Sequence, residues 1–301
     1  MAESTAAVSS LPAHADSQQT RGYWEDTLYR LLKHRLGMLG AILVTGLILV
    51  ALVGPYVAPY EPTTMNFEER FASPSLRHPM GADDFGRDTL TRVVYGARVS
   101  LQVGAIAVGI AATVGSTLGL IAGYAGRVLD EIIMRAMDVL FAFPAILLAI
   151  AILAALGKGV ANAMIAIGIV YIPIFARIAR SSVLTIREEE FIEAARSCGA
   201  TDARILFHHI LPNAMAPLIV ETSLSLAFAI LAEAALSFFG LSVQPPDPSW
   251  GRMLSEGRAY FQQSPWMAIF PGLAIMITVM GFNFLGDGLR DAMDPSMRGN
   301  R

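Results

Sequence analysis

Long uncharged stretches separated by short charged ones dominate the pattern of this chain. Leu36 to Tyr60, Val99 to Gly126, Val139 to Gly157, Gly159 to Ala176 and Ala259 to Gly286 contain no Asp, Glu, Lys or Arg. A further stretch, Ile205 to Pro246, is interrupted only by Glu221, Glu233, His208 and His209, and it accommodates a helix over Asn213 to Phe238. About 20 apolar residues at 1.5 Å rise per residue cross a hydrocarbon core. These runs are apolar all round instead of along one stripe, as lipid requires of a backbone that satisfies its own hydrogen bonds. The pattern predicts an all-α membrane protein of about six transmembrane helices.

Proline and glycine set the finer expectations. The first span ends at Gly54-Pro55, and a loop rich in Pro and charge follows to about Arg92. The second span carries a run of small residues (Gly104, Ala107, Ala111, Gly115, Gly119), which predicts an interior position because small faces let helices approach closely. Pro144 predicts a bend in the third span and Pro173 another in the fourth. The turn Gly157-Lys158-Gly159 joins those two spans as an antiparallel hairpin. By eye the chain shows no internal repeat.

Composition agrees, with 54% hydrophobic and only 16% charged residues, against about 25% charged in a soluble domain. Orientation follows from the basic residues. With the N-terminus inside, 14 of the 22 Lys and Arg fall in inside segments. Five of the outer ones (Arg70, Arg77, Arg87, Arg92, Arg98) lie in the long first loop, whose length weakens its vote. Both termini are therefore expected in the cytoplasm. The Ala/Ser-rich start lacks the basic and apolar regions of a signal peptide and reads as a disordered tail over residues 1–29. The division expected after it is a first span with its outer loop over 30–95, a five-helix transmembrane core over 96–297 containing an elbow at 187–212, and a short tail over 298–301.

A net charge of −3 without a basic block argues against a nucleic-acid partner. The single cysteine, Cys198, allows no intrachain disulfide and is expected reduced in an inside loop. His208 and His209 point about 100° apart on a helix and are assigned no metal. No Gly-x-x-x-x-Gly-Lys-Ser/Thr run occurs, so no ATP site is expected on this chain, which is read as a non-enzyme without a catalytic residue or cofactor of its own.

The loop Arg187 to Pro212 (REEEFIEAARSCGATDARILFHHILP) is the most informative stretch. It predicts a helix over Glu188 to Cys198, with Phe191, Ala195 and Cys198 on one face, and a left-handed glycine stop at Gly199. Thr201 is expected to cap a second short helix that ends at Pro212. On these residues alone the segment is either an amphipathic loop resting on lipid headgroups or a docking element.

Glu193-Ala194-Ala195, Gly199 and Leu211-Pro212 resemble the EAA loop of permease subunits of binding-protein-dependent ABC importers, with His209 where the family pattern has isoleucine. His78 to Asp88, Gln244 to Gly251 and Leu285 to Asp291 are similar to segments of the dipeptide/oligopeptide/nickel group, C-type subunit. The resemblance spans roughly residues 30–297. It implies a type I ABC importer permease fold in a bacterial inner membrane. Implied partners are a homologous B-type permease, two ATPase subunits that hold ATP and Mg, and a periplasmic or lipid-anchored substrate-binding protein. The elbow is then the coupling helix: Phe191, Glu193, Ala194, Ala195, Gly199, Thr201, Leu211 and Pro212 would meet an ATPase. Implied substrates are di- and oligopeptides, with glutathione or a nickel complex as alternatives.

Within the spans, Glu221 is a candidate for the translocation path because burying a carboxylate is costly. Counting 1.5 Å per residue from Asn213 puts Glu221 roughly 12 Å deep and Glu233 about 30 Å along, near the outer surface. A carboxyl paired with a neighbouring helix or protonated in place is the equal alternative. Asn162 and Asn283 are weaker path candidates, since amides also serve as interhelical contacts. In the outer loop Leu241 to Pro265, Trp250 and Trp266 suit a membrane interface. That loop either meets the binding protein or caps the bundle. A self-contained channel or secondary transporter would need a relay of several buried carboxylates, and a membrane hydrolase a nucleophile with its base; neither pattern is found.

Overall fold

The computed structural model describes residues 23–293, so the expected tail over 1–22 and the segment 294–301 lie outside the described residues. Among the described residues the chain is helical: α1 (Tyr23–Lys33), α2 (Arg35–Val57), α3 (Thr89–Ala125), α4 (Arg127–Phe141), α5 (Ala145–Leu156), α6 (Val160–Ile186), α7 (Glu190–Ser197), α8 (Asp202–Phe238), α9 (Trp250–Ala259) and α10 (Trp266–Met293). Five of these, α2, α3, α6, α8 and α10, are long and apolar enough to cross a membrane. The pair α4 and α5 makes a sixth crossing only as a broken span, bent by 94°.

The bend expected at Pro144 is a full break of the span. Proline has no N–H and pushes the residue before it out of the α region. The preceding helix thus ends at Phe141, and Pro144 (ψ 129°) stands as the cap of α5 instead of continuing α4. Pro212 was expected to end a short helix, and instead α8 runs through it to Phe238 as one 37-residue helix. The reason is a π-helical stretch at Ile205–Ile210, where Leu211 N–H donates to Leu206 O. This wider i→i−5 step relaxes the ladder just where the ring lacks its donor.

Other boundaries move modestly. A helix already begins at Tyr23 within the expected tail, and its Leu31 is buried against the start of α2. The last span starts at Trp266, because residues 260–265 of the stretch expected to cross form the turn that follows α9. The fourth span extends to Ile186 and includes Arg177 and Arg180, which pair with Asp138 and Asp130 of α4.

Small residues set the packing. A Cβ on Gly37 would lie 2.9 Å from Gly288 Cα, so α2 and α10 touch backbone to backbone. On α3, Gly115 and Gly119 of the small-residue run meet the α6 backbone at Ile172 O and Ala176 O in the same way. The largest apolar core joins α3, α5, α6, α7 and α8, with Val103, Ile167, Phe175, Ile192 and Leu236 fully buried.

The end bearing residues 58–88 is closed by polar side chains. Asp88 caps α3 by accepting from Thr91 N and Oγ1, both at 2.7 Å, while its other oxygen meets His78 Nδ1 at 2.8 Å. His78 Nε2 reaches Glu69 at 3.0 Å. Arg87 donates to Asp83 at 2.6 Å, and Arg92 of α3 reaches Glu256 of α9 at 3.4 Å. Trp250, expected at a membrane interface, is 1% exposed and donates from Nε1 to Val93 O at 2.9 Å. The helix that carries it plugs this end of the bundle.

Candidate functional site

At the opposite end α6 runs into a short connection and α7. Glu189 is the extended residue at the start of α7 (φ −76°, ψ 144°). After Ser197 the chain stops on Gly199 at φ +81°, a conformation costly for any side chain. Gly199 N–H bonds Arg196 O at 2.9 Å and Ala200 N–H bonds Ala195 O at 3.0 Å, which satisfies the carbonyls at the helix end. Thr201 then caps α8, its Oγ1 accepting from Arg204 N at 3.4 Å. The glycine stop and the threonine cap stand where the sequence placed them, although the helix is shorter at both ends than Glu188 to Cys198.

Eight residues cannot hold a helix alone in water. What holds α7 is Ile192, which is 0% exposed and packs in the core cluster with Val183, Ile205 and Ile210. The face chosen from the sequence, Phe191, Ala195 and Cys198, points the other way: Phe191 is 44% exposed, Cys198 exposed and Ala195 half-buried. Glu193, Ala194, Gly199, Thr201 and Pro212 are exposed and Leu211 is half-buried. Ile192 was missed, although as the one large aliphatic residue in α7 it was available as a signal. Two tethers fix the elbow to the end of α3. Arg187 Nη1 donates to Gly123 O at 3.1 Å, and Tyr124 OH donates to Asp202 at 2.5 Å. Between α7 and α8 lies an open cavity of about 410 Å³ lined by Ala195, Cys198, Gly199, Thr201, Arg204 and His209. The result is a rigid knob, apolar at Phe191 and acidic at Glu188 to Glu190 and Glu193, fastened to three spans.

Within the spans the candidates separate. Glu221 is half-buried near the middle of α8, and Ser225 Oγ donates to it at 2.8 Å. Glu233, expected near an outer surface, is 0% exposed and sits among serines. Ser237 Oγ donates to it at 2.6 Å and Ser100 at 3.4 Å, with Ser242 at 3.5 Å. This cage stitches α8 to α3 and to the segment before α9. Asn162 donates to Leu156 O and Gly157 O at 2.9 and 3.1 Å, closing the α5–α6 turn, and Asn283 is half-buried on α10. A cavity of about 580 Å³ opens between α5, α6, α8 and α10, lined by Ile167, Tyr171, Phe228, Leu231 and Ile275 among other apolar residues.

The carboxylates of Asp83, Asp84 and Glu256 lie within 4.8 Å of one another. Arg252 engages Glu256 Oε1 while Arg87 and Arg92 engage Oε2, so guanidinium groups already occupy the positions a cation would need. Burial pushes the Asp84 carboxyl up, with Asp83 adding to it. For His78 burial acts downward, but hydrogen bonds to Asp88 and Glu69 outweigh it and hold the imidazole above its ordinary value. The His78 hydrogen bond in turn draws Glu69 down.

The family model of the binding-protein-dependent transport system inner membrane component matches residues 115–299. A second model, the N-terminal TM domain of oligopeptide transport permease C, matches residues 22–74. Similar proteins include a dipeptide transport system permease protein, DppC, of Alkalihalophilus pseudofirmus, 50% identical over 95% of this chain and 94% of its own. A glutathione transport system permease protein, GsiD, of Escherichia coli is 45% identical over 98% and 97%. Among solved structures, a chain of the inward-facing MetNI methionine ABC transporter aligns with TM-score 0.55 at 19% identity, covering 67% of this chain and 96% of that one. At that identity the likeness concerns the fold, a type I importer permease.

Proposed function

The chain belongs to the family of binding-protein-dependent transport system inner membrane components, and from that premise we propose that it forms one half of the pore of an ATP-driven importer of di- and oligopeptides. A permease of this family is a multi-pass inner-membrane protein that works with an ATPase and a substrate-binding component. The further composition is part of the proposal: a homologous B-type permease completes the pore, two ATPase subunits hold ATP and Mg, and a periplasmic or lipid-anchored protein delivers substrate. Both termini face the cytoplasm.

One observation carries the coupling role. The helix α7 is anchored from below by Ile192 and presents Phe191 outward, and one glycine turn later it becomes the 37-residue helix α8. A push on Phe191 is therefore delivered to a spanning helix as rigid-body motion. Phe191 and Ala195 supply the apolar contact to an ATPase groove, with Glu193 and Ala194 at its rim. Gly199, Thr201, Leu211 and Pro212 shape the transfer. Glu221 lies on the translocation path, with Asn283 and Asn162 as lesser members.

Peptide is favoured over other solutes because relatives named for dipeptide and glutathione transport match nearly end to end. Glutathione is the second reading on the same ground, and a nickel complex the third. Uptake by cells deleted for this chain, measured with di- to pentapeptides, glutathione and nickel, tests the choice. Loss of dipeptide uptake, restored by the wild-type chain, is expected. Unchanged peptide uptake with lost nickel uptake would refute it.

A further inference from the structure

The half-span α4 is bounded by backbone breaks at both ends. Before it, Gly126 (φ +61°) and its first residue Arg127 (φ +50°) stand in the left-handed region, which a right-handed helix does not pass through. After it, the 94° bend leads into α5. Neither neighbour in the chain therefore dictates where α4 lies. The two halves of this crossing also pack separately. Ala149 and Leu153 of α5 join the main core, whereas Met137, the one buried residue of α4, sits in a small cluster with Ile172 and Ala176 of α6. Ion pairs add to that attachment on the same face, since Asp130, Met134, Met137 and Asp138 recur at helical spacing. Arg180 of α6 donates from Nε and Nη2 to the two oxygens of Asp130 at 2.5 and 2.6 Å, a bidentate fit between half-buried residues. Arg177 donates to Asp138 at 2.8 Å, but both are exposed and this pair is the weaker.

With both oxygens of Asp130 engaged, the pair is a tie between helices and not a site for a passing solute. Its place in the fold gives the tie a direction. Arg180 lies two turns before Arg187, where α6 gives way to the elbow, and Arg187 donates to Gly123 O just ahead of the break that opens α4. Resting on the reading of α7 as the coupling element, we infer that Asp130 and Arg180 are positioning residues for transport. They fasten α4 to the end of α6 nearest the elbow, so that a push on α7 swings α4 about residues 142–144 as it displaces α8. The elbow then drives two crossings instead of one, and Asp138 with Arg177 supports the same tie.

The test uses the complete importer in proteoliposomes. Spin labels on azidophenylalanine, in place of the exposed Arg135 of α4, Ser181 of α6 and Asp287 of α10, report the 135–287 and 181–287 distances by electron–electron resonance. Without Asp130→Ala, both distances are expected to change together between the nucleotide-free and ATP-bound importer. With Asp130→Ala, 181–287 should still change while 135–287 no longer follows, and dipeptide delivered per ATP should fall about tenfold at an unchanged melting temperature. Exchanging the charges, Asp130→Arg with Arg180→Asp, should restore both readings. A 135–287 distance that follows as before in Asp130→Ala overturns the inference, as does delivery per ATP at the wild-type ratio. A lowered melting temperature with unchanged delivery per ATP overturns it too, because Asp130 then serves the fold alone. If 181–287 is static before Asp130 is changed, the coupling reading itself fails, and that is seen before the tie is tested.

Discussion

Replacing Ile192 by Ala isolates the anchor of α7 from its docking face. The side chain is 0% exposed and loses three carbons. At about 0.8 kcal/mol per buried methylene this is roughly 2.4 kcal/mol of transfer energy. A residual cavity adds to it, placing the change near the lower half of the ~2–5 kcal/mol span for Ile→Ala. Because α7 has eight residues, far below the roughly 12–15 needed for independent helicity, the loss falls on local attachment. A change of about 3 kcal/mol raises the detached population roughly a hundredfold. Hydrogen exchange followed by mass spectrometry is the assay. Amides of residues 190–197 should lose protection while those of α10 keep theirs, and the importer should hydrolyse ATP without matching uptake. Unchanged exchange in α7 together with a lower melting temperature for the whole chain would refute the reasoning, since Ile192 would then be core without being an anchor.

Three further outcomes follow from the packing and the polar networks. Glu233→Ala strands the hydroxyls of Ser100, Ser237 and Ser242 in a dry site; a loss of about 1–3 kcal/mol should appear in thermal melting in detergent, and Glu233→Gln should recover much of it. Gly40→Val drives a side chain into Gly281 O and the Phe284 carbonyl carbon, each 2.8 Å from the new Cβ; overpacking of about 1–3 kcal/mol should loosen α2 from α10, seen as faster proteolysis between residues 58 and 88. His78 has a raised folded value, so its ion pairs add stability that is complete below the ordinary 6.5 and fades as pH rises through the raised value. Melting should therefore decline as pH rises above about 6.5, and a His78→Gln variant should flatten that slope; an identical slope in the variant would assign the decline elsewhere.

Span existence was legible because uncharged runs of sufficient length are a solvent constraint, independent of how helices later meet. The elbow was legible for a local reason, since Gly199 and Thr201 each act within one turn of backbone. Proline was not legible in the same way. Pro144 breaks its span, whereas Pro173, Pro217 and Pro271 stay inside helices and Pro212 is absorbed by the π turn before it. Which outcome occurs depends on neighbouring helices and on ladder register, and single-chain periodicity carries neither. The polar cap was out of reach for a related reason: Arg92 and Glu256 are 164 positions apart, and Trp250 is buried because an outer helix folds onto α3. Ile192 was passed over in favour of Phe191 because two turns of helix are too few for a stripe to declare itself.

The central claim is that ATPase movement enters through the exposed face of α7. Phe191→Asp changes that face alone, since the side chain is 44% exposed and outside the buried core. In proteoliposomes containing the whole importer, ATP-driven dipeptide uptake by this variant is predicted to fall to background. Its ATPase subunits should no longer co-purify, while the variant chain melts at the wild-type temperature. Uptake and co-purification at wild-type levels would contradict the account.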